Sequence, residues 1–406
     1  MRTFRILTLA LLAIALVTGG AVAQSGISDG VIKIGVLSDM SSLYADLSGA
    51  GSVLAARMAV EDFGAAKKNM KVEIVSADHQ NKADVGSQIA RQWYDADKVD
   101  VIADTPNSAV ALAVNQITRD KGRAFLVSGA ASSDLTGKAC SPNTIHWTYD
   151  TWALANGTGS AIVKTGGDSW FFITSDYAFG HALERDTENV VVKNGGKVVG
   201  KVRHPLNSAD FSSFLLQAQS SKAKIIGLAN AGADTTNAIK QAADFGIVKG
   251  GQNLAGLLVF ITDVHALGLE KAQGLIFTEA FYWDMNPQTR AFAKRFSEAN
   301  RGIHPTMIHA GVYSSVLHYL KAVEALKSDD GTKVIAKMKE MPAEDQLFGK
   351  TTVRADGRNV HPMYLFEVKK PAESKGAWDY YKQRATIPAE QAFRPIDQGD
   401  CPLVKK

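Results

Sequence analysis

The sequence predicts an α/β protein made of two doubly wound lobes, each with a parallel sheet between layers of helices. Apolar runs of strand length alternate with helical patterns from about residue 31, and the alternation starts again near residue 169. Alternation at this pace indicates βαβ units and therefore parallel sheets. The chain of 406 residues is also longer than one ordinary hydrophobic core requires, which favours two lobes.

The first series contains four predicted strands with helices between them. The strands are VIKIGVL (31–37), KVEIVSA (71–77), VDVIADT (99–105) and RAFLVSG (123–129). Helical patterns fall at 51–64 and 84–97. In the first of these helices Val53, Val60 and Phe63 recur at helical spacing, which predicts one buried face.

The second series continues the alternation to residue 281. Its predicted strands are 169–176, 197–204, 224–230, 255–262 and 273–281, and its predicted helices are 181–196, 211–222 and 234–246. Beyond Trp283 the pattern is mainly helical and ends in a predicted hairpin over 347–370, with its turn at 355–358. The segment 371–406 is rich in proline, so we expect it to be irregular.

The first 23 residues have the features of a cleaved secretory signal. Arg2 and Arg5 precede an apolar run at 6–17, and Ala21-Val-Ala23 is a small-residue cleavage site. A membrane anchor is the alternative, but the apolar run is too short to span a bilayer comfortably. We therefore expect the rest of the chain to be exported to the periplasm.

Charge and cysteine content narrow the choice of partners. The 45 basic and 41 acidic residues give a formal net charge of only +4, and two of the basic residues lie in the leader, which argues against a nucleic-acid partner. The two cysteines, Cys140 and Cys401, are predicted to form a disulfide in an oxidising compartment; two buried free thiols are the alternative. There is no CxxC motif, which disfavours a redox enzyme.

Catalytic and cofactor motifs are missing from the sequence. Gly49-Ala-Gly51 lacks the third glycine of a dinucleotide fingerprint and follows its strand too late for a tight turn. No phosphate-binding loop, nucleophile elbow or HExxH motif is present. Asp263 and His265 are the nearest approach to an acid/base pair, and a structural hydrogen bond is the simpler interpretation of that pair. We therefore predict no enzyme activity, no cofactor and no metal.

The predicted strands end in segments of similar composition, rich in hydroxyls, amides, small residues and aromatic rings. These segments are 38–44, 105–108 and 129–133 in the first series and 174–180, 230–234 and 262–263 in the second. Ligands of parallel α/β sheets bind at the carboxyl ends of the strands. This composition suits a small polar ligand with an apolar part, and helix N-termini there would favour a carboxylate. For Ser132, Ser133 and Asp134, helix capping remains an equal alternative.

The order of motifs resembles the periplasmic solute-binding proteins of ABC importers, specifically the leucine/isoleucine/valine-binding family with the type I periplasmic binding fold. The resemblance covers nearly the whole exported chain and rests on VIKIGVLSDMSSLYADLSGAGSVLAARMAVEDFG, NSAVALAV, SGAASS, SDYAFGHALERD and VVKNGGKVVG in this order. It implies two lobes joined by a hinge of three strands, a ligand enclosed between them, an ABC-transporter permease as membrane partner, and a monomer. The implied lobes are 24–148 plus 282–348 and 149–281 plus 349–380, with 381–406 as a tail.

The resemblance also implies site residues. A ligand carboxylate would be held by Asn107 or Ser108 and by the turn containing Ala130 and Ser132. Tyr177 matches the family's tyrosine in the second lobe. Asp263, with Asp234 behind it, is the match for the acid that holds an amino-acid ammonium group, and Asn230 ends a neighbouring strand.

The sequence departs from the family in its first loop and in its aromatic residues. The usual GP-x-TG is replaced by SDMSSLYADLSG, and aromatic rings crowd the implied hinge and cleft. These rings are Tyr44, Tyr149, Trp152, Tyr177, Tyr282 and Trp283. Each of them has ordinary packing as its alternative role. Three hypotheses therefore remain: a binder of branched-chain or hydrophobic amino acids, a binder of aromatic acids or other small organic acids and amides, and, remotely, an exported α/β enzyme.

Overall fold

The computed structural model describes residues 26–405; the predicted leader at 1–23 lies outside the described residues. A parallel sheet in the order β2-β1-β3-β4-β5, with the helices packed on it, forms what we call the first lobe. Its strands are β1 (Ile32–Ser38), β2 (Val72–Asp78), β3 (Val101–Asp104), β4 (Ala124–Val127) and β5 (Thr144–His146). Four of them match the predicted strands. The fifth has only three residues, too few to show a pattern.

Alternate residues of this sheet pack against helices on its two faces. The helices are α1 (Gly49–Phe63), α2 (Ala83–Asp95) and α3 (Ser108–Lys121). Ile34 and Val36 of β1 join a core that includes α1, whereas Leu37 joins the core formed with α2 and α3. Side chains alternate across a strand, so a sheet covered on both faces is apolar along its whole length.

The second lobe is built on a parallel sheet in the order β7-β6-β8-β9. Its strands are β6 (Ser169–Ser175), β7 (Lys197–His204), β8 (Ile225–Ala229) and β9 (Asn253–Gly256). Its helices are α4 (Thr151–Leu154), α5 (Ser160–Lys164), α6 (Ala178–Lys193), α7 (Ser212–Ser220), α8 (Ala233–Asp244), α9 (Ile261–Leu267) and α10 (Leu269–Ala272). Two separate parallel sheets confirm the predicted α/β class.

The chain then returns to the first lobe before it adds a small antiparallel sheet. Three helices follow β10 (Ile276–Glu279): α11 (Pro287–Ala299), α12 (Met307–Leu326) and α13 (Gly331–Glu340). The nearly fully buried α12 packs in the same core as α1. Then come β11 (Ala343–Asp345), β12 (Gly349–Val353), β13 (Asn359–Val360), β14 (Met363–Val368), β15 (Tyr381–Ile387) and α14 (Ala389–Ala392). Strand β14 lies between β10 and β15, antiparallel to both.

Three segments differ from the sequence-based prediction. The predicted strand 255–262 ends at Gly256, and its remainder leads into α9, because a short apolar run fits a strand or a buried helix equally well. The predicted hairpin exists between β12 and β13, but β14 leaves it for another sheet. The segment 371–406 is not wholly irregular, since it contains β15, which pairs with β14. No sequence pattern within 381–387 indicates this strand.

The predicted disulfide between Cys140 and Cys401 is present, with the two Cα atoms 5.6 Å apart. It ties the segment after β15 to the loop between β4 and β5. Within residues 26–405, no helix combines the length and apolar character that a membrane crossing requires.

Candidate ligand-binding cleft

A mostly apolar cleft lies between the two parallel sheets, at the carboxyl ends of their strands. The loops after β1, β3, β4 and β5 contribute Tyr44, Leu47, Pro106, Gly129, Ala131 and Tyr149. The ends of β6, β8 and β9 contribute Tyr177, Phe179, Ala231, Leu258 and Phe260. None of these eleven side chains carries a charge. The free volume within this lining is only about 10 Å³, so the side chains from the two sheets pack against one another, and a ligand would have to separate them.

Two tyrosines join the lobes across this cleft. The hydroxyls of Tyr44 and Tyr177 lie 2.5 Å apart, and either can be the donor. Burial raises the pKa of both phenols, so both stay neutral and retain a proton to donate. Asp39 fixes the position of Tyr44, because its carboxylate accepts a hydrogen bond from the Tyr44 backbone N–H at 2.7 Å. Asn81 also donates to Asp39, at 2.5 Å.

The other rings pack around this pair at distances typical of aromatic contacts. Tyr149 meets Phe260 edge to face, with ring centroids 6.2 Å apart, and its hydroxyl donates to the carbonyl of Gly129 at 2.6 Å. The rings of Tyr177 and Phe179 are 5.9 Å apart. Aromatic pairs prefer such tilted and edge-on arrangements, so these rings hold their positions and present both faces and edges to the cleft.

The predicted carboxylate-binding turn lies at the first-lobe edge of the cleft. The backbone N–H groups of Ala131 and Ser132 both donate to the Ser108 hydroxyl, each at 3.2 Å. Asn107 caps α3, since its side chain accepts from the N–H of Ala109 at 2.9 Å. The Ser132 hydroxyl accepts from the N–H of Asp134 at 3.4 Å, a long version of the capping bond. Two converging N–H donors of this kind can hold a carboxylate oxygen, but here the Ser108 hydroxyl already accepts from both of them.

The carbonyl of Ala130 makes a hydrogen bond within the protein and is not available to a ligand. His146 makes a hydrogen bond to this carbonyl at 2.7 Å. Ala130 is fully buried and packs in the core formed with α2 and α3. The turn therefore presents the N–H groups of the two residues after Ala130, and the backbone at Ala130 anchors the turn to β5.

The predicted acids and amide of the second lobe lie outside the apolar cleft. Asp234 accepts the N–H groups of Asn207 and Ser208, at 3.1 and 2.8 Å. Asn230 makes a hydrogen bond with the ring of His204. Burial raises the pKa of Asp234 to about 6, but neither residue is among those lining the cleft.

Asp263 lies in the first turn of α9, not at the end of a strand. Its carboxylate accepts from the N–H of Phe260 at 2.9 Å and so caps the helix. It lines a neighbouring polar groove, which shares Leu47 with the apolar cleft, together with Asp46 and Lys240. Burial, with a smaller contribution from Asp46, raises the pKa of Asp263 to about 7. His265 makes its hydrogen bond to the Tyr380 hydroxyl instead, at 2.8 Å.

Trp152 and Tyr282 are likewise separated from the apolar cleft. Trp152 lines a surface groove beside α6. Tyr282 donates to the carbonyl of Trp378 at 3.1 Å and stacks on Tyr381, with ring centroids 4.7 Å apart. The neighbouring Trp283 donates to the same Trp378 carbonyl at 2.8 Å. The rings of Tyr282 and Trp283 therefore hold the segment before β15 against the segment after β10.

Sequence reasoning missed the apolar members of the cleft and the buried acid beneath them. Asp104, at the end of β3, accepts from the Ser38 hydroxyl at 2.8 Å, and burial raises its pKa to about 6. Both Asp104 and Thr105 have positive φ, 78° and 59°, a strained backbone for a β-branched residue such as Thr105. A Cβ at Gly129 would lie 2.8 Å from Asp104 Oδ1 and 2.7 Å from Pro106 Cα. Only glycine fits there, a requirement that a single sequence does not reveal.

Comparison with known proteins finds similarity along most of the chain. The family model for periplasmic binding proteins matches residues 31–377. A periplasmic binding protein from Burkholderia mallei is 53% identical with a TM-score of 0.90, over 93% of this chain and 100% of that chain. The periplasmic ligand-binding protein of a branched-chain amino acid ABC transporter from Burkholderia xenovorans is 41% identical with a TM-score of 0.81, over 92% and 99% of the two chains. Leu/Ile/Val-binding protein homolog 6 of Brucella melitensis is 25% identical over 360 residues, 86% of this chain and 90% of that protein.

Proposed function

The chain belongs to the periplasmic binding protein family, whose members bind substrates for ABC transporters and are not enzymes, and on this premise we propose that it captures a small aromatic carboxylate. The solute would be enclosed between the lobes and delivered to the permease of an importer. The observation that carries this proposal is the lining of the cleft, where five aromatic rings surround a space without a charged side chain.

The proposed orientation follows from the two kinds of surface in the cleft. The carboxylate would replace the Ser108 hydroxyl as the acceptor of the Ala131 and Ser132 N–H groups, and the displaced hydroxyl would donate to the carboxylate in turn. The ring would lie among Tyr149, Tyr177 and neighbouring apolar residues. Burying an aromatic ring removes apolar surface from water and supplies affinity, while the few fixed donors supply orientation.

Closure of the two lobes is the proposed mechanism. The ligand bridges groups from both lobes, so it binds the closed form better than the open form and shifts the population toward closure. The proposed lobes are 24–148 plus 282–348 and 149–281 plus 349–380, with crossings near 148–151, 279–282 and 348–351. We further propose export to the periplasm through cleavage of the leader, and action as a monomer.

A branched-chain amino acid is the second candidate. It is favoured by the 41% identical Burkholderia xenovorans protein, whose transporter is described as one for branched-chain amino acids. This ligand would bury an ammonium group, and a buried charge needs a paired acid. Asp234 and Asp263 are the nearest sequence-based choices, yet neither lines the apolar cleft and both already accept backbone N–H groups.

Thermal unfolding with a panel of ligands separates the two candidates. Benzoate and 4-hydroxybenzoate carry the ring and carboxylate, leucine and valine carry the ammonium group, and phenylalanine carries both. A ligand at about 100 times its Kd stabilises the native protein by about 2.7 kcal/mol, a readily measured rise in Tm. We expect the benzoates alone to produce it. A rise with leucine or valine and none with the benzoates would establish the second candidate instead.

A further inference from the structure

The ligand-binding turn of the first lobe is held by a carboxylate from the second lobe. Asp186 of α6 accepts a hydrogen bond from the Ser133 hydroxyl and another from the Thr151 hydroxyl, both at 2.6 Å on the same oxygen. Ser133 directly follows Ala131 and Ser132, whose N–H groups face Ser108. The side chain of Asp186 is buried, with 4% of its surface exposed.

The remaining contacts make a closed network around Ser133. Its backbone N–H donates to Thr151 Oγ1 at 3.1 Å. Arg185 donates to Asp186 Oδ1 at 3.0 Å and to the Ser133 hydroxyl at 2.9 Å. Arg394, from the segment tied down by the disulfide, donates to the Ser133 carbonyl at 2.9 Å. Every polar group of Ser133 therefore has a partner that lies outside its own turn.

Helix α6 connects this network to the cleft. Its first turn carries Phe179, which lines the cleft together with Tyr177, and Asp186 lies two turns further along. Because residues spaced by three or four share one helix face, Phe179, Leu183 and Asp186 point in similar directions. A movement of α6 toward the first lobe therefore brings the apolar wall of the cleft and the Asp186 carboxylate into place together.

We propose that Asp186 is a positioning residue for ligand capture, which holds the turn Ala131–Ser133 in its carboxylate-binding geometry when the lobes are closed. This inference rests on the proposed function for the identity of the ligand. Asp186 does not line the cleft. It acts through Ser133 and Thr151, so that closure of the lobes and binding of the ligand carboxylate are linked.

The substitution Asp186→Asn tests this role with little change of shape. An amide cannot accept all the donors that the carboxylate accepts, because its nitrogen only donates. We expect benzoate to dissociate at least about tenfold faster, as is typical when a hydrogen bond to a charged group is lost. The association rate should change little, because the proposed contacts of Asp186 with the turn act when the lobes are closed.

Glu184→Gln is the matched control. Glu184 is a buried carboxylate on the same helix, but its partners are Thr174, Lys201 and Arg203, all in the second lobe. This variant should lower the melting temperature yet leave benzoate kinetics unchanged. Two variants of Thr151 give a second test. Thr151→Val removes the hydroxyl and should show the same effect as Asp186→Asn, whereas Thr151→Ser keeps the hydroxyl and should bind benzoate like the wild type.

Hydrogen exchange of the backbone gives a readout that does not depend on ligand identity. We expect faster exchange over residues 126–137 in Asp186→Asn and Thr151→Val, but not in Glu184→Gln or Thr151→Ser. Wild-type exchange in Asp186→Asn, or an equal increase in Glu184→Gln, would overturn the positioning role. If wild-type protein binds none of the panel, the proposed function fails and the exchange result alone decides the role of Asp186. If Asp186→Asn does not fold, the Thr151 pair decides it.

Discussion

The hydroxyl groups of Tyr44 and Tyr177 meet across the cleft at 2.5 Å, one from each lobe. Both side chains also line the apolar cleft, so the same two residues form its wall and connect its two sides. Their phenols are buried, and water cannot easily replace either partner once the lobes have met.

Loss of this hydrogen bond should weaken ligand binding. We expect Tyr44→Phe to reduce affinity for the proposed aromatic-acid ligand about 3- to 10-fold, because a neutral hydrogen bond contributes about 0.5–1.5 kcal/mol. Isothermal titration calorimetry measures the change. Tyr94→Phe is the control, since the hydrogen bonds of the Tyr94 hydroxyl with Thr118 and the Ala124 carbonyl lie within the first lobe. Equal affinities in the two variants would contradict a role for the tyrosine pair in closure.

Replacement of Gly129 should disturb the floor of the cleft. A Cβ at this position would lie 2.7 Å from Pro106 Cα, so Gly129→Ala forces the backbone of two loops apart. Overpacking of this kind costs about 1–3 kcal/mol, and we expect ligand affinity to fall with stability. Urea unfolding and calorimetry report both. Gly159→Ala is the control, because a Cβ there would lie at an ordinary distance of 3.4 Å from its nearest neighbour. Equal losses of stability and affinity in the two variants would contradict a specific role for Gly129.

Removal of the disulfide should destabilise the protein. The bond between Cys140 and Cys401 spans 261 residues, so its loss frees a very long loop in the unfolded chain. We expect the double variant Cys140→Ser/Cys401→Ser to lose about 2–4 kcal/mol of unfolding free energy. Denaturant unfolding with and without reductant checks this. The wild type should respond to reductant and the double variant should not; an unresponsive wild type would contradict the prediction.

The buried carboxyl of Asp263 should make stability depend on pH. Burial raises its pKa to about 7, whereas the unfolded chain has a value near the ordinary 3.8. Between these values the native state binds more protons than the unfolded state, so stability falls as pH rises from about 4 to about 7. Asp263→Asn should remove this part of the slope. Unfolding free energies of both proteins across that pH window give the comparison, and parallel curves would contradict the raised pKa.

Much of the fold could be predicted because its signals are local. The runs that form β1, β3, β4 and β6 are short, apolar and separated by helical patterns, so their type follows from length and spacing. The segment 381–387 has no such signal, and its strand exists because β14 offers a free edge for pairing. The apolar run before Asp263 has a strong signal that is ambiguous, since its residues suit both a helix and a strand. The hydrogen bond from the Phe260 N–H to Asp263 caps α9 and favours the helix.

The site shows the same division. Tyr44 and Tyr177 could be predicted from their places after strands, and Tyr149 from the hinge that the family resemblance implies; all three line the cleft. Phe260 and Leu258 could not be distinguished from core residues, because apolar side chains of cleft and core look alike in a sequence. The sequence places both residues inside the predicted strand 255–262, and only the early end of β9 at Gly256 brings them to the sheet edge that lines the cleft.

The sequence by itself determined the α/β class, the alternation of elements, the cysteine pair and the strand ends that carry the site. These depend on residues close together in the chain or on composition. Tertiary structure alone decided which side chains meet across the cleft, which acids stay outside it, and that Asp186 reaches Ser133 from the other lobe. Such contacts join residues 53 to 133 positions apart, and only the packing of two lobes against each other fixes distances of that kind.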